Sequence, residues 1–275
     1  MKKKRLFPGF GLSLGYTCFY LGLIVLIPLA TLFWKSSSLS WQEFWGIVTA
    51  ERTLAAYRLS FLTAFISALI NAVFGFLLAW VLARYSFPGK RLVDALIDLP
   101  FALPTAVAGI ALTAIYAPTS WLGQHLEKLG VQIAFTPAGI VLALSFIGLP
   151  FVVRAVEPVL QDLEGEVEEA ASSLGAGRWE TFRRIIFPAA FPALITGFTL
   201  AFARAIGEYG SVVFISGNMP YQTEIAPLLI MTKLEQFEYP AATAIALTML
   251  LVSFSLFLLI NHLQARSSRK LGMEA

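Results

Sequence analysis

The sequence predicts an all-α integral membrane protein: six transmembrane helices, with one structured polar loop on the cytoplasmic side. Three observations carry this reading. Of 275 residues, 57% are hydrophobic and only 13% are charged, against about 25% charged in a soluble domain. The apolar residues gather into long runs, and a span needs about 20 of them. The cationic residues fall in short clusters between those runs, unevenly shared between the two sides that alternate connections would occupy.

Lys2, Lys3, Lys4 and Arg5 precede a first apolar run over residues 12–34. The run is long for a signal peptide, ends at Trp34–Lys35 and lacks a small-x-small cleavage site, so it is read as a first span after a cytoplasmic tail, residues 1–11. Cys18, the single cysteine, forms no intrachain disulfide and is expected in the core. Trp41 and Trp45 are four residues apart, which puts them on one helix face as interfacial anchors.

The second span covers residues 59–83 and ends in Arg84, Lys90 and Arg91 around a Pro-Gly turn. The third, residues 99–117, opens DLPFALPTAVAG; Pro100 and Pro104 remove helix donors within about one turn of each other. In lipid, the freed carbonyls need partners in neighbouring helices or in a wet cavity. A polar segment follows, residues 118–135. Thr136 and Pro137 then read as an N-cap and first helical residue, opening a fourth span over 138–153. The fifth and sixth spans are residues 189–214 and 241–261, separated by a loop from Ser216 to Tyr239. Residues 12–262 thus form the transmembrane domain and 263–275 a second cytoplasmic tail.

Six spans put both termini on one side, and the cations test this. Lys2, Lys3, Lys4, Arg5, Arg84, Lys90, Arg91, Arg154, Arg178, Arg183, Arg184, Arg266, Arg269 and Lys270 fall on the side of the N-terminus. Lys35, Arg52, Arg58, Lys128 and Lys233 fall on the other, with Arg204 inside a span. The excess marks the first side as cytoplasmic in a plasma (inner) membrane. A net charge of +3 in scattered clusters is no nucleic-acid footprint; the surrounding partner is lipid. No internal repeat is visible, which argues softly against a repeat-built secondary transporter.

Chemistry of the chain's own is not expected. There is no G-x-x-x-x-G-K-[ST] phosphate loop, so no ATP hydrolysis by this chain. Cys/His metal spacing and nucleophile–base constellations are also missing, and no cofactor or metal is expected. His125 and His262 are isolated and read as polar residues of a loop and a span end.

The polar loop, residues 157–188, is the outlier. Leu160, Leu163, Val167, Ala170, Ala171 and Leu174 recur at helical spacing. Glu164, Glu166, Glu168 and Glu169 precede Gly175 and Gly177, and Arg178, Arg183 and Arg184 follow. Gly175 suits the left-handed position that ends a helix, and Pro188 suits the start of the next span. The expectation is a helix–turn–helix with its turn near Leu174–Gly177. It is either a solvated charged loop or a partner-docking element.

The stretch EAASSLGAGRWETFRRIIFP resembles the EAA loop of ABC-importer permeases: E-A-A, three residues, G, nine residues, I, a residue, then L-P. Glu169, Ala170, Ala171, Gly175, Ile185 and Pro188 match, and Phe187 stands where leucine is usual. The resemblance implies a type I importer permease fold. It also implies that this loop is a coupling helix docking into an ATPase subunit, with Glu169, Ala170, Ala171, Leu174, Gly175, Ala176 and Gly177 as coupling residues. ALPTAVAG, LPFVVRAVEPVL, FARAIGEYGSVVFISGN and MPYQTEIAPLLI extend the likeness over most of the chain, to T-type sulfate/thiosulfate permeases. Molybdate permeases share the A-R-A-x-G-E core; the SGNMP…TE run tilts the reading to sulfate. By that resemblance the partners are a W-type permease forming a heterodimer, two ATPase subunits that bind ATP and Mg, and an external sulfate-binding protein.

Arg204 and Glu208, four residues apart in the fifth span, are expected on one helix face. Each costs about 2.5–3.5 kcal/mol at a helix centre on insertion scales, so both should face a bundle interior or a wet path. Gly207 and Gly210 thin that region, and Ser211, Ser216 and Asn218 offer hydrogen bonds further out. Two roles stay open: Glu208 tempering Arg204 along an anion pathway, or an ion pair with Arg204 that fixes a subunit interface. Among function classes, an ATP-driven sulfate permease leads, with a molybdate/tungstate or other oxyanion permease as the variant. A stand-alone secondary anion transporter or channel is the reading from another class. A membrane enzyme has no residue support.

Overall fold

The computed structural model describes residues 9–163 and 165–270, and among these every regular element is helical. Lys2 to Arg5 and Glu164 lie outside the described residues. Five helices are long and apolar enough to cross a membrane: α1 (Phe10–Ser36), α3 (Glu51–Arg84), α8 (Pro137–Asp162), α10 (Arg178–Ile206) and α13 (Tyr239–Lys270), the last counted to His262. Between them lie α2 (Trp41–Val48), α4 (Lys90–Ile97), α5 (Leu99–Ala102), α6 (Thr105–Tyr116), α7 (Trp121–Lys128), α9 (Gly165–Ser173), α11 (Val212–Ile215) and α12 (Ala226–Glu235). The helices α6 and α7, bent by 53°, together pass as a sixth crossing.

The core is the three-helix contact of α3, α8 and α10. Along α3 the inward face reads Thr53, Ala56, Ser60, Thr63, Ser67, Asn71, Gly75, Ala79, Leu82, at three- and four-residue spacing. Small side chains let backbones approach where lipid offers no hydrophobic drive for helix association. A Cβ on Gly148 of α8 would lie 2.5 Å from the Asn71 amide nitrogen, and one on Gly197 of α10 would lie 2.8 Å from the Val152 Cα. The second neighbour is backbone and cannot give way. Gly197→Ala is therefore expected to destabilise by about 1–3 kcal/mol through overpacking. A lower unfolding temperature of the detergent-purified protein checks this, with Gly46→Ala, which meets nothing within 4 Å, as the silent control.

Peripheral elements depart from the sequence reading in instructive ways. On α1 only Ser36 is buried, and its second half packs against α13. Cys18 is accordingly exposed, not in the core, because the helix carrying it has no protein around it in the single chain. The third run is not one helix over 99–117: Pro104 forces Leu103 extended (ψ 135°), and the chain restarts as α6. The polar segment after it is not merely loop, since it holds α7 with His125. Thr136 caps α8 by position only; its hydroxyl donates back to the Ile133 carbonyl, 2.6 Å away. Ser40, by contrast, closes a capping box with Glu43, whose carboxyl the Ser40 hydroxyl and backbone N–H hold below its usual range. Trp41 and Trp45 do meet, edge to face with centroids 5.5 Å apart.

The fifth run changes most. Helix α10 begins at Arg178, passes through Pro188, and ends at Ile206; it is not a span over 189–214 preceded by a separate basic helix. A π-turn over Phe182–Ile186 precedes Pro188, as one over Gly22–Leu26 precedes Pro28. A widened turn accommodates a ring that would otherwise strike the carbonyl four residues back. Helix α8 likewise continues to Asp162 with Pro150 and Pro158 inside it, so the non-spanning connection is shorter than 157–188. At the C-terminus, α13 runs on to Lys270, into the stretch read as a tail from residue 263.

Candidate coupling loop and translocation site

Helix α9 ends as its glycine dictates. Gly175 has φ +86°, its N–H donates to the Ser172 carbonyl at 2.9 Å, and the Ala176 N–H donates to the Ala171 carbonyl at 3.0 Å. These two bonds define a Schellman termination. The chain then re-enters helix at once, with Gly177 at the N-cap of α10 and the Thr181 N–H donating to the Gly177 carbonyl at 2.9 Å. The result is a helix–turn–helix whose apex is Leu174 to Gly177.

On that element Glu169 and Ala170 are exposed, whereas Ala171 is buried. Leu174 is 89% exposed and Trp179 is 72% exposed. Beneath the turn lies a cleft of about 470 Å³, bordered by Tyr85, Glu168, Ser172, Arg178 and Thr181 among others. The Glu166 side chain lies outside the described residues.

At the other end of α10 sits the charge pair. The helix stops at Ile206, so Arg204 and Glu208 do not share a helix face. Glu208 instead folds back across the helix end and reaches the Arg204 guanidinium at 2.6 Å. Its other oxygen accepts from the Ser211 N–H at 2.9 Å and the Ser211 hydroxyl at 3.0 Å. Glu208 is 3% exposed, with both oxygens engaged, while the Arg204 side chain is 35% exposed. Glu208 therefore organises the break, and Arg204 stays partly open to its surroundings. Glu208 also borders a small void of about 10 Å³ beside Ser60 and Thr63, which is room for about one water.

Small residues hold the break against α6. A Cβ on Gly109 would strike the Ser211 backbone, and one on Gly210 would strike the Thr105 hydroxyl. Gly207 has no such neighbour. Ser216 and Asn218 are spent locally: the Ser216 hydroxyl donates to Asn218 Oδ1 at 2.6 Å, and Asn218 Nδ2 donates to the Val213 carbonyl at 2.8 Å.

Among the ion pairs that escaped the sequence reading, three groups join separate elements. Arg52 donates through Nε and Nη2 to both oxygens of Glu224, each at 2.7 Å, and Glu224 is 4% exposed. Arg154 meets Asp98 at 2.6 Å, Asp94 at 2.7 Å and Glu157 at 2.9 Å, fastening α4 to α8. Arg84 meets Glu168 of α9 at 2.5 Å. Apart from Glu157, three residues from Arg154, the partners lie far apart along the chain and no local pattern announces them; Arg52, Arg84 and Arg154 carried information only as topology signals.

Comparison with known proteins places this geometry. The profile of the "Binding-protein-dependent transport system inner membrane component" family matches residues 71–269. The sulfate transport system permease protein CysT of Escherichia coli (strain K12) is 45% identical over 270 residues, 98% of each chain. Its counterpart in Synechocystis sp. (strain ATCC 27184 / PCC 6803 / Kazusa) is 51% identical over 248 residues, 90% of this chain and 87% of that one. Among solved structures, a bacterial ABC transporter involved in import of the acidic polysaccharide alginate superposes with a TM-score of 0.77 at 15% identity, covering 93% of this chain and 94% of that one. That likeness concerns the fold alone. A near-full-length match to permeases, the matching fold and the helix–turn–helix on the 169–188 motif agree: the chain belongs to the binding-protein-dependent transport system inner membrane components, the permeases of ABC importers.

Proposed function

We propose that this chain is the T-type permease subunit of an ATP-driven sulfate/thiosulfate importer, and that α10 is its working lever. The observation that carries the lever is the unbroken run of α10 from Arg178, next to the exposed turn, to Arg204, next to Glu208. At 1.5 Å per residue its 29 residues span roughly 40 Å. Movement of the turn is therefore carried toward the charge pair along one continuous helical run, whose points of give are the π-turn over Phe182–Ile186 and Pro188 and Pro192.

In this reading two ATPase subunits bind ATP and Mg on their own residues and receive Leu174, Gly175, Ala176 and Gly177 at the tip. Glu169 lies beside their surface, Ala171 packs the helix behind it, and Ala170, exposed beside Glu169, faces the ATPase with it. ATP-driven closure of the ATPases moves the turns, and the spans alternate between outward and inward access. The chain contributes no ATP site of its own, in keeping with its missing phosphate loop. A W-type permease completes the pathway, an external binding protein delivers the anion, and both termini face the cytoplasm, as the cation distribution supports.

Arg204 attracts the dianion, Glu208 offsets it so that the anion leaves again, and Ser211 holds Glu208 in position. Sulfate over other oxyanions is supported by identity with sulfate permeases over nearly the whole chain. The test is uptake of radiolabelled sulfate by vesicles carrying this chain with the W-type permease, the ATPase and the binding protein. Uptake is expected to need ATP and to resist competition by molybdate. Uptake by this chain alone, driven by a proton gradient, would defeat the importer reading; displacement of sulfate by equimolar molybdate would move the substrate to that anion.

A further inference from the structure

Helix α9 packs against the first turn of α10 and is separated from the end of α3 by the cleft of about 470 Å³ described above. Among the described residues, one charged contact crosses that space. Arg84, the last residue of α3, meets Glu168 at 2.5 Å, with the two side chains 20% and 33% exposed. Other cations nearby are placed differently: Arg184 pairs with Glu180 inside α10 at 3.1 Å, and both are largely solvated. Glu168 is the acid adjoining the motif glutamate, yet it is turned toward the membrane domain while Glu169 is exposed.

We infer that the Arg84–Glu168 ion pair is a strut through which the loop pushes on α3 as well as on α10. Helix α3 packs along both α8 and α10 in the core and carries Ser60 and Thr63 beside Glu208. A loop tied only through the chain, to α8 on one side and α10 on the other, would act on those two helices and shear their contacts with α3. With the strut in place, α3 and α10 move as one body about α8. Arg84 and Glu168 are thus positioning residues for coupling and make no contact with nucleotide or anion. The cleft matters here, because with little packing between α9 and the end of α3, the ion pair is what transmits force across it.

The inference rests on the proposed docking of an ATPase at this loop. Its test uses the complete reconstituted complex, with sulfate uptake, ATP hydrolysis and ATPase retention on purification measured for Arg84→Gln, Glu168→Gln and the charge-swapped pair R84E/E168R. Each single change is expected to keep the ATPase bound and to raise ATP consumed per sulfate by about threefold, the scale of one partly exposed ion pair. The swap should bring the ratio back toward that of the unaltered complex. An unchanged ratio in the singles, no recovery in the swap, or loss of the ATPase from either single variant would overturn the strut. If instead the ATPase never associates with the unaltered chain, the docking reading itself fails, which is a different result.

Discussion

Arg204→Gln is expected to cut anion uptake sharply and leave the complex assembled. The change removes the cation and leaves a shorter amide, while Glu208, 3% exposed, keeps its two hydrogen bonds from Ser211. Full removal of one partner from a buried pair costs about 3–5 kcal/mol. With the Arg204 side chain 35% exposed and Ser211 still donating to Glu208, the cost to folding falls below that. What a dianion in the pathway loses is a charge-assisted hydrogen bond, about 1.5–3 kcal/mol, so uptake should drop by roughly ten- to a hundredfold. Labelled sulfate uptake, read beside co-purification of the partner subunits, checks both halves. Failure to assemble would sink the pathway role and return the pair to a packing role between subunits.

Gly175→Pro should uncouple the loop with equal force. The native φ of +86° lies far from the −65° to which proline is locked, and proline also lacks the N–H that donates to Ser172. The Schellman turn cannot close, so Leu174 and Ala176 leave the positions that present the tip. Sulfate uptake is expected to fall by about tenfold or more, as for a defect of at least 1–3 kcal/mol of backbone strain. ATP hydrolysis should either continue without transport or vanish as the ATPase detaches. Membrane insertion should persist, because α8 and α10 keep their apolar runs. Gly175→Ala, which strains the same φ by only about 1–2 kcal/mol and keeps the N–H, should lose less. Uptake unaltered by the proline would show that this turn is not the joint.

The difference between what was legible and what was not follows the range of the interactions. Gly175 was readable because only local sterics decide which residue accepts a left-handed φ. The alternation of apolar runs and cationic clusters was readable because span length and topology depend on composition summed over short windows. Ends of helices were less so. Pro188 looked like a start and proved to lie inside α10, since a π-turn absorbs its ring. Glu208 looked like a fourth-residue partner on a helix and instead closes a break after Ile206. That break is set by Thr105 and Gly109 of α6 pressing on Gly210 and Ser211, contacts about a hundred residues away in the chain.

By itself, then, the sequence determined a helical membrane protein with a glycine-ended polar turn at Leu174–Gly177 and a charge pair near the end of the fifth run, and its motifs resembled those of importer permeases. The turn, the spans and the pair depend on hydropathy, charge and backbone preference, all of which act within a few residues. Only the tertiary structure decided that α10 runs from the turn to Arg204, that Arg52 clamps Glu224, and that Arg84 reaches Glu168. An ion pair between distant residues exists only once packing has brought the helix ends together, and that packing is set by small residues such as Gly148 and Gly197, whose meaning lies in their neighbours and not in themselves.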